Sequence, residues 1–467
     1  MARYDRINTT IEPRSLSAAG ANAEITIDDR LSTDEHPLLD PASASVIFQH
    51  TPDSSSLEGS NEHATGTPFS SSINLLNTIL GTGLLAMPAA VASVGLLTGI
   101  VVILLSALAS GLGLYFLSRC AARTEGRSAS FFAISKLTWP SLAVFFDLAI
   151  AIKCFGVAVS YLIIIGDLMP HVCAYITHDP ILLDRRFWIT VLMASAILPL
   201  SFLRKLDSLK YTSIVALVAV VYLCAIIVYH FFVPEDAINT TAPPQVELVT
   251  FSSVFFRRLP VFIFAFTCHQ NMFSVYNELK DNSQPQVNQV IQISIGSAWA
   301  AYEAIGILGY LTFGKNVLSN IITEYPQSGF VAGGRLAIVI LVVFSYPLQA
   351  HPCRASLDKI LAWSSPETRN RKVPPPPSAF KYFIVTTCIL VASYLIAITV
   401  TELDVVLAFV GSTGSTTISF ILPGIFYYKL HQDDPWDRHK ITAVCLATYG
   451  LMVMCICLTF NIVGLFR

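Results

Sequence analysis

The stretch Asn74–Pro88 reads NLLNTILGTGLLAMP. It sits inside an apolar segment long enough to cross a bilayer, yet it holds two asparagines, the triplet Gly81-Thr82-Gly83 and a proline. No water reaches the hydrocarbon core to satisfy loosened peptide groups. A spanning helix is therefore interrupted only where it lines a protected cavity or is buried in protein. Glycine lets the backbone unwind, and Pro88 removes one donor from the helical ladder. Small residues at this spacing also let two helices pack closely. The two readings separate only if a second interruption stands in the matching place.

Composition sets the class. Of 467 residues, 54% are hydrophobic and only 13% charged, with a mean hydropathy of +0.61. Soluble domains carry about 25% charged residues, so lipid solvates most of this chain. The net charge of -2 says little about partners, and no nucleic-acid partner is expected. Most of the ten cysteines fall in apolar segments and follow neither a metal-ligand nor a disulfide spacing, so no metal or cofactor is expected. The first residues lack an apolar core, so no cleavable signal peptide is expected. HExxH, GxSxG, P-loop and Cys-x-x-Cys signatures are missing, and the chain reads as no enzyme.

Residues 1–68 are rich in Ser, Thr, Asp, Glu and Ala without apolar period and read as a disordered cytosolic tail. Within it Asp34, followed after three residues by Leu38-Leu39, has the form of an endosomal or vacuolar sorting signal. Residues 69–467 form the membrane domain, with about eleven apolar stretches of spanning length. The first five occupy about 70–233, the next five about 259–428, and an extra one about 440–465. Lys and Arg collect on the side of the connections holding Arg119, Arg123, Arg127 and the 354–381 segment, which puts the N-terminus in the cytosol. The 234–250 connection is then luminal or external, where Asn239-Thr240-Thr241 offers a glycosylation acceptor.

The second interruption lies in the sixth stretch, FIFAFTCHQNMFSVYNEL (262–279), where Thr267-Cys268-His269-Gln270-Asn271 sets five polar or weakly polar residues at bilayer depth. Paired breaks in corresponding members of two five-helix halves point to a midplane site in a secondary transporter. Bare amides suit a carboxylate and bare carbonyls an ammonium, so an amino acid is the natural occupant. For His269, a satisfied core histidine and a group on the substrate path are both open readings.

These motifs, SSINLLNTILGTGLLAMPAA (71–90), IKCFGVAVSYLIIIGDLMP (152–170) and the sixth stretch, resemble the amino acid/auxin permease family. GYLTFG (309–314), SYPLQAHPCR (345–354) and LAFVGSTGSTTISFILPG (407–424) do so as well. Within the family, the pattern is most similar to the vacuolar (Avt-type) branch, with sodium-coupled neutral amino acid transporters as cousins. The resemblance implies an all-α, eleven-helix protein of LeuT type, with a five-plus-five inverted repeat and broken helices one and six. It implies alternating access around a site between helices one, three, six and eight. Carried over by motif, Thr78, Gly81, Thr82 and Gly83 border the substrate's main-chain groups, and Phe266, Thr267 and His269 face them from helix six. It places the protein in a vacuolar or lysosomal membrane, with the plasma membrane as the alternative.

Coupling is left between two ions. Lys153 and Glu303 lie deep in the third and seventh stretches, where a charge is costly and invites a function. Asn77 is a weaker candidate, and an interhelical hydrogen bond explains it equally well. Asp147, Asp167, Glu402 and Asp404 lie nearer helix ends and are expected to be solvated or capping. For sodium, the eighth stretch offers only Ser345 and Tyr346 as hydroxyls before Pro347, which favours protons. A nutrient sensor acting through cytosolic partners of the tail is the reading from another class. The side-chain preference is not legible.

Overall fold

The computed structural model describes residues 66–466 apart from 125, 204–211, 234–243, 251 and 364–377. Asp34, Leu38, Leu39 and Asn239 therefore lie outside the described residues. Within them every regular element is helical.

The first span is two helices, α1 (Pro68–Ile79) and α2 (Thr82–Val94), bent by 57° at the Leu80-Gly81 break. Thr67 starts α1 with a capping box to Ser70, and Pro68 stands at the first turn, where its missing N–H costs nothing. α3 (Leu96–Ala121), a short α4 (Phe131–Thr138) and α5 (Ala143–Cys173) follow. The fourth span runs from α6 (Arg185–Leu192) through a wide π turn, Met193–Ile197, into α7 (Leu198–Ser201). α8 (Thr212–Phe232) completes the first five. The sixth span is again split, into α9 (Val254–Ala265) and α10 (His269–Glu278). α11 (Gln284–Phe313), α12 (Gly329–Trp363) and α13 (Ala379–Thr399) are long and continuous. The tenth span joins α14 (Leu403–Val410) to α15 (Leu422–Leu430) through two wide turns, Gly411–Ser415 and Thr417–Ile421. Hydroxyls of Ser412, Thr416 and Thr417 bond back onto carbonyls of the preceding turn there, which loosens the regular ladder. α16 (Arg438–Leu465) ends the chain.

Helical segments thus occupy all eleven expected stretches. Among the described residues, seven single helices are long and apolar enough to cross a bilayer, eight if the bent first pair counts as one span. Of the other three, the fourth is brief, the sixth is cut by polar residues, and the fifth counts as the shorter apolar helix Ala216–Phe232.

The broken spans cross at the centre. α2 packs against α9, α11 backs α1 and α2, and α12 lies along α5. Gly83 is where α2 meets α9: a Cβ there would stand 3.0 Å from the Ala265 Cα, so the approach needs a glycine.

Each end of the first span is tied to its neighbours. At its beginning, Gly66 N–H donates to the Glu278 carbonyl (3.0 Å), and Lys280 N–H donates to the Gly66 carbonyl (2.8 Å). Arg127 donates to the carbonyls of Asn277 (2.9 Å) and Lys280 (2.8 Å), setting a cation on the C-terminal end of α10. At the opposite end an extended strap, residues 244–250, crosses the tips of α2, α3 and α11. Leu96 and Leu97 donate to the carbonyls of Glu247 and Leu248, and Thr250 donates to Val94. Gly95, at φ 87°, makes the turn that lets the strap lie against it. The Tyr310 hydroxyl accepts from Glu247 N–H at 2.8 Å, and the Glu247 carboxylate pairs with Lys315 and accepts from Thr250 at 2.6 Å.

These bonds, that from Lys315 foremost and that from Thr250 next, hold the Glu247 carboxyl below the ordinary 4.5. A depressed folded value stabilises the protein above the unfolded value and is lost as pH falls through the folded one. Glu247→Gln should melt below the parent at about pH 7, and the gap should close as pH drops below 4.5, read as paired thermal melts across pH.

Candidate functional site

The two breaks are built differently but share one partner. Helix α1 stops where Leu80 N–H donates to the Leu76 carbonyl, and α2 restarts with Leu84 N–H on Gly81. In the sixth span Thr267 folds back: its N–H donates to Phe264 (3.0 Å) and its hydroxyl to Ile263 (2.9 Å). The chain restarts at His269, with Asn271 N–H on the Cys268 carbonyl. Tyr302 reaches both breaks from α11. Its hydroxyl lies 2.6 Å from the Ile79 carbonyl and 3.0 Å from the Ala265 carbonyl, so one phenolic proton is shared by the last carbonyls of α1 and α9. Its ring meets Phe266 edge-on at 5.0 Å.

The next carbonyl, Phe266, accepts from the Ser110 hydroxyl at 2.8 Å. His269 Nε2 lies 3.1 Å from the Ser110 carbonyl, which can only accept, so this nitrogen carries the proton. Nδ1 then accepts from the Ser419 hydroxyl at 3.0 Å. A neutral imidazole satisfies both contacts and ties the sixth span to α3 and to the wide turns of the tenth.

Beside the breaks lies a cavity of about 340 Å³. Of the residues singled out from sequence, Asn77, Thr78, Gly81 and Thr82 line it. Gly83, Phe266, Thr267 and His269 are not in its wall; they are buried in the packing behind the break. The sixth span contributes Gln270 and Asn271 instead, and Asn271 Nδ2 donates to the Thr78 hydroxyl at 2.7 Å, joining α10 to α1 across the wall. Asn74 from α1, Tyr161 from α5 and Ser345 and Gln349 from α12 complete the polar lining, while Ile164, Leu223 and Val342 are among its apolar residues. Among the described residues, no charged side chain lines the cavity. Gln270 and Asn271 were visible in sequence as part of the polar run. Gln349 was marked only by being a glutamine two residues past an intramembrane proline.

Lys153 is buried in α5, 3% exposed, with the thiols of Cys154 and Cys268 as neighbours. It makes no ion pair with any described residue. Glu303 accepts from Trp299 Nε1 at 3.2 Å through Oε1, and its Oε2 has no partner among the described residues. Lys153 and Glu303 do not pair, and neither lines the cavity. Three carboxylates expected to be solvated or capping are instead held in ion pairs: Asp147 with Lys359 (3.4 Å), Asp167 with Arg185 (3.4 Å) and Asp404 with Arg258. Asp147 and Asp404 are buried and Asp167 is half-buried. Their partners lie far along the chain or outside the helix that bears them, so no local pattern announces them. Glu402 is exposed just before α14, as expected.

The sequence matches the transmembrane amino acid transporter protein family over residues 64–466. The chain belongs to that family. It is 45% identical over 410 residues to vacuolar amino acid transporter 5 of Schizosaccharomyces pombe, covering 85% of this chain and 94% of that protein. It is 41% identical over 437 residues to vacuolar amino acid transporter 6 of Saccharomyces cerevisiae, covering 83% and 97%. To vacuolar amino acid transporter 7 of the same yeast it is 32% identical over 482 residues, covering 84% and 96%. In this family member both broken spans line one chamber in which no described side chain is charged, and Tyr302 bonds to both breaks.

Tyr302→Phe keeps the ring against Phe266 but strands two buried carbonyls. The expected cost is about 1–3 kcal/mol, seen as a lower melting temperature of the detergent-solubilised protein. A melt matching the parent would mean that both carbonyls find other donors.

Proposed function

We propose that this protein carries amino acids across the vacuolar membrane by alternating access, from lumen to cytosol and driven by protons. The observation that carries the reading is the meeting of two broken spans at one cavity without charged walls. A zwitterion has no net charge for such walls to balance. It needs anion and cation contacts close together, which a helix N-terminus and nearby acceptors supply. The N-terminal turn of α2, opened by Gly81 and bearing the Thr82 hydroxyl, is the place for the carboxylate. The relatives named above, all called vacuolar amino acid transporters, support both cargo and membrane.

Protons are favoured over sodium by how the hydroxyls are used. Tyr346, which could have served a cation on α12, is engaged with Ser393 at 2.5 Å. That leaves Ser345 as the α12 hydroxyl in the cavity wall. Lys153, a buried lysine without a counterion among the described residues, is the group we assign to proton coupling; a desolvated lysine exchanges a proton readily. Glu303, with one oxygen unpartnered, is the second candidate.

Uptake into proteoliposomes should follow an imposed pH gradient and ignore sodium, and Lys153→Gln should retain exchange of substrate while losing the response to the gradient. Strict sodium dependence would reverse the assignment.

A further inference from the structure

An ammonium group taken out of water needs acceptors. At the sixth span the obvious ones are used up. The carbonyls of Ile263 and Phe264 accept from Thr267, that of Ala265 from Tyr302, and that of Phe266 from Ser110. The Cys268 carbonyl accepts from Asn271 N–H. Across the first break the Leu76, Ile79 and Gly81 carbonyls are likewise engaged. Most of the main-chain acceptors at the two breaks are therefore already engaged.

The cavity wall offers other acceptors. Among the described residues, three of its buried side-chain oxygens have no hydrogen-bond partner: Thr82 Oγ1, Gln270 Oε1 and Gln349 Oε1. The Thr82 hydroxyl carries its own proton and can donate to the carboxylate, whereas an amide oxygen can only accept. The two glutamines stand on the first turn of α10 and on α12, and the Gln349 side chain lies beside the Tyr161 hydroxyl. A buried amide oxygen left unmet is costly, and a charged donor makes the strongest use of it.

We infer that the amide oxygens of Gln270 and Gln349 receive the substrate's ammonium. This rests on the amino-acid reading above. The two acceptors come from different elements, α10 and α12, so one cation bridges the sixth span to the eighth. Both sit on flexible side chains, unlike peptide carbonyls, and can follow the cargo as the helices tilt.

The test uses the full chain purified into liposomes and a panel of the twenty radiolabelled L-amino acids. The best-transported member is then competed by its own desamino carboxylic acid. Gln270→Leu and Gln349→Leu should each raise KM about tenfold or more, the size of one charge-assisted hydrogen bond, while leaving the weak inhibition by the desamino acid unchanged. That unchanged inhibition shows that the chamber still folds. Gln270→Glu and Gln349→Glu should keep or tighten binding, since a carboxylate attracts the ammonium. If either leucine variant holds KM within twofold of the parent, or the glutamate variants weaken binding as leucine does, the assignment is overturned. If the parent takes up no amino acid, the reading of the protein as a carrier fails instead.

Discussion

The centre of this protein depends on one proton. A helix broken in hydrocarbon exposes peptide groups that lipid cannot satisfy, and two such helices break within reach of one side chain. Tyr302 answers for both, its hydroxyl between the last carbonyls of α1 and α9. Because one donor serves two acceptors, neither helix can shift far alone without stranding a carbonyl. The phenol thus fixes the register of the breaks against each other, and the continuous α11 that carries it acts as their common support.

Around that point the polar groups divide into those that are spent and those that are free. Thr267, Ser110, His269 and Ser419 close on one another and hold the sixth span against α3 and the tenth. Asp147, Asp167 and Asp404 are spent on lysine and arginine partners from other segments. Among the described residues, unmet oxygens of Thr82, Gln270 and Gln349 gather in the chamber beside Gly81, while Lys153 and the second oxygen of Glu303 stand apart from it.

Much of this was legible in the sequence because the bilayer enforces it. The glycine triplet at 81–83 and the polar run at 267–271 could not sit in continuous lipid-facing helices, and both spans are broken there. Spacing could not say which way a side chain turns once the helix has come apart. His269 stood out for its chemistry, yet it points into packing, whereas the plainer Asn271 beside it reaches Thr78 across the chamber. Gln349 and Tyr161 arrive from spans whose rotation no one-dimensional pattern fixes. Asp147, Asp167 and Asp404 looked like end-of-helix acids because their partners lie on other segments.

The bridge of Gly66 to Glu278 and Lys280 has a mechanical meaning. It welds the outermost turn of α1 to the tip of α10, while the bond between Asn271 and Thr78 fastens the same two rods nearer the middle. Two cross-braces on one pair of half-helices stiffen it against shear, so neither rod can slide or splay without breaking bonds at both points.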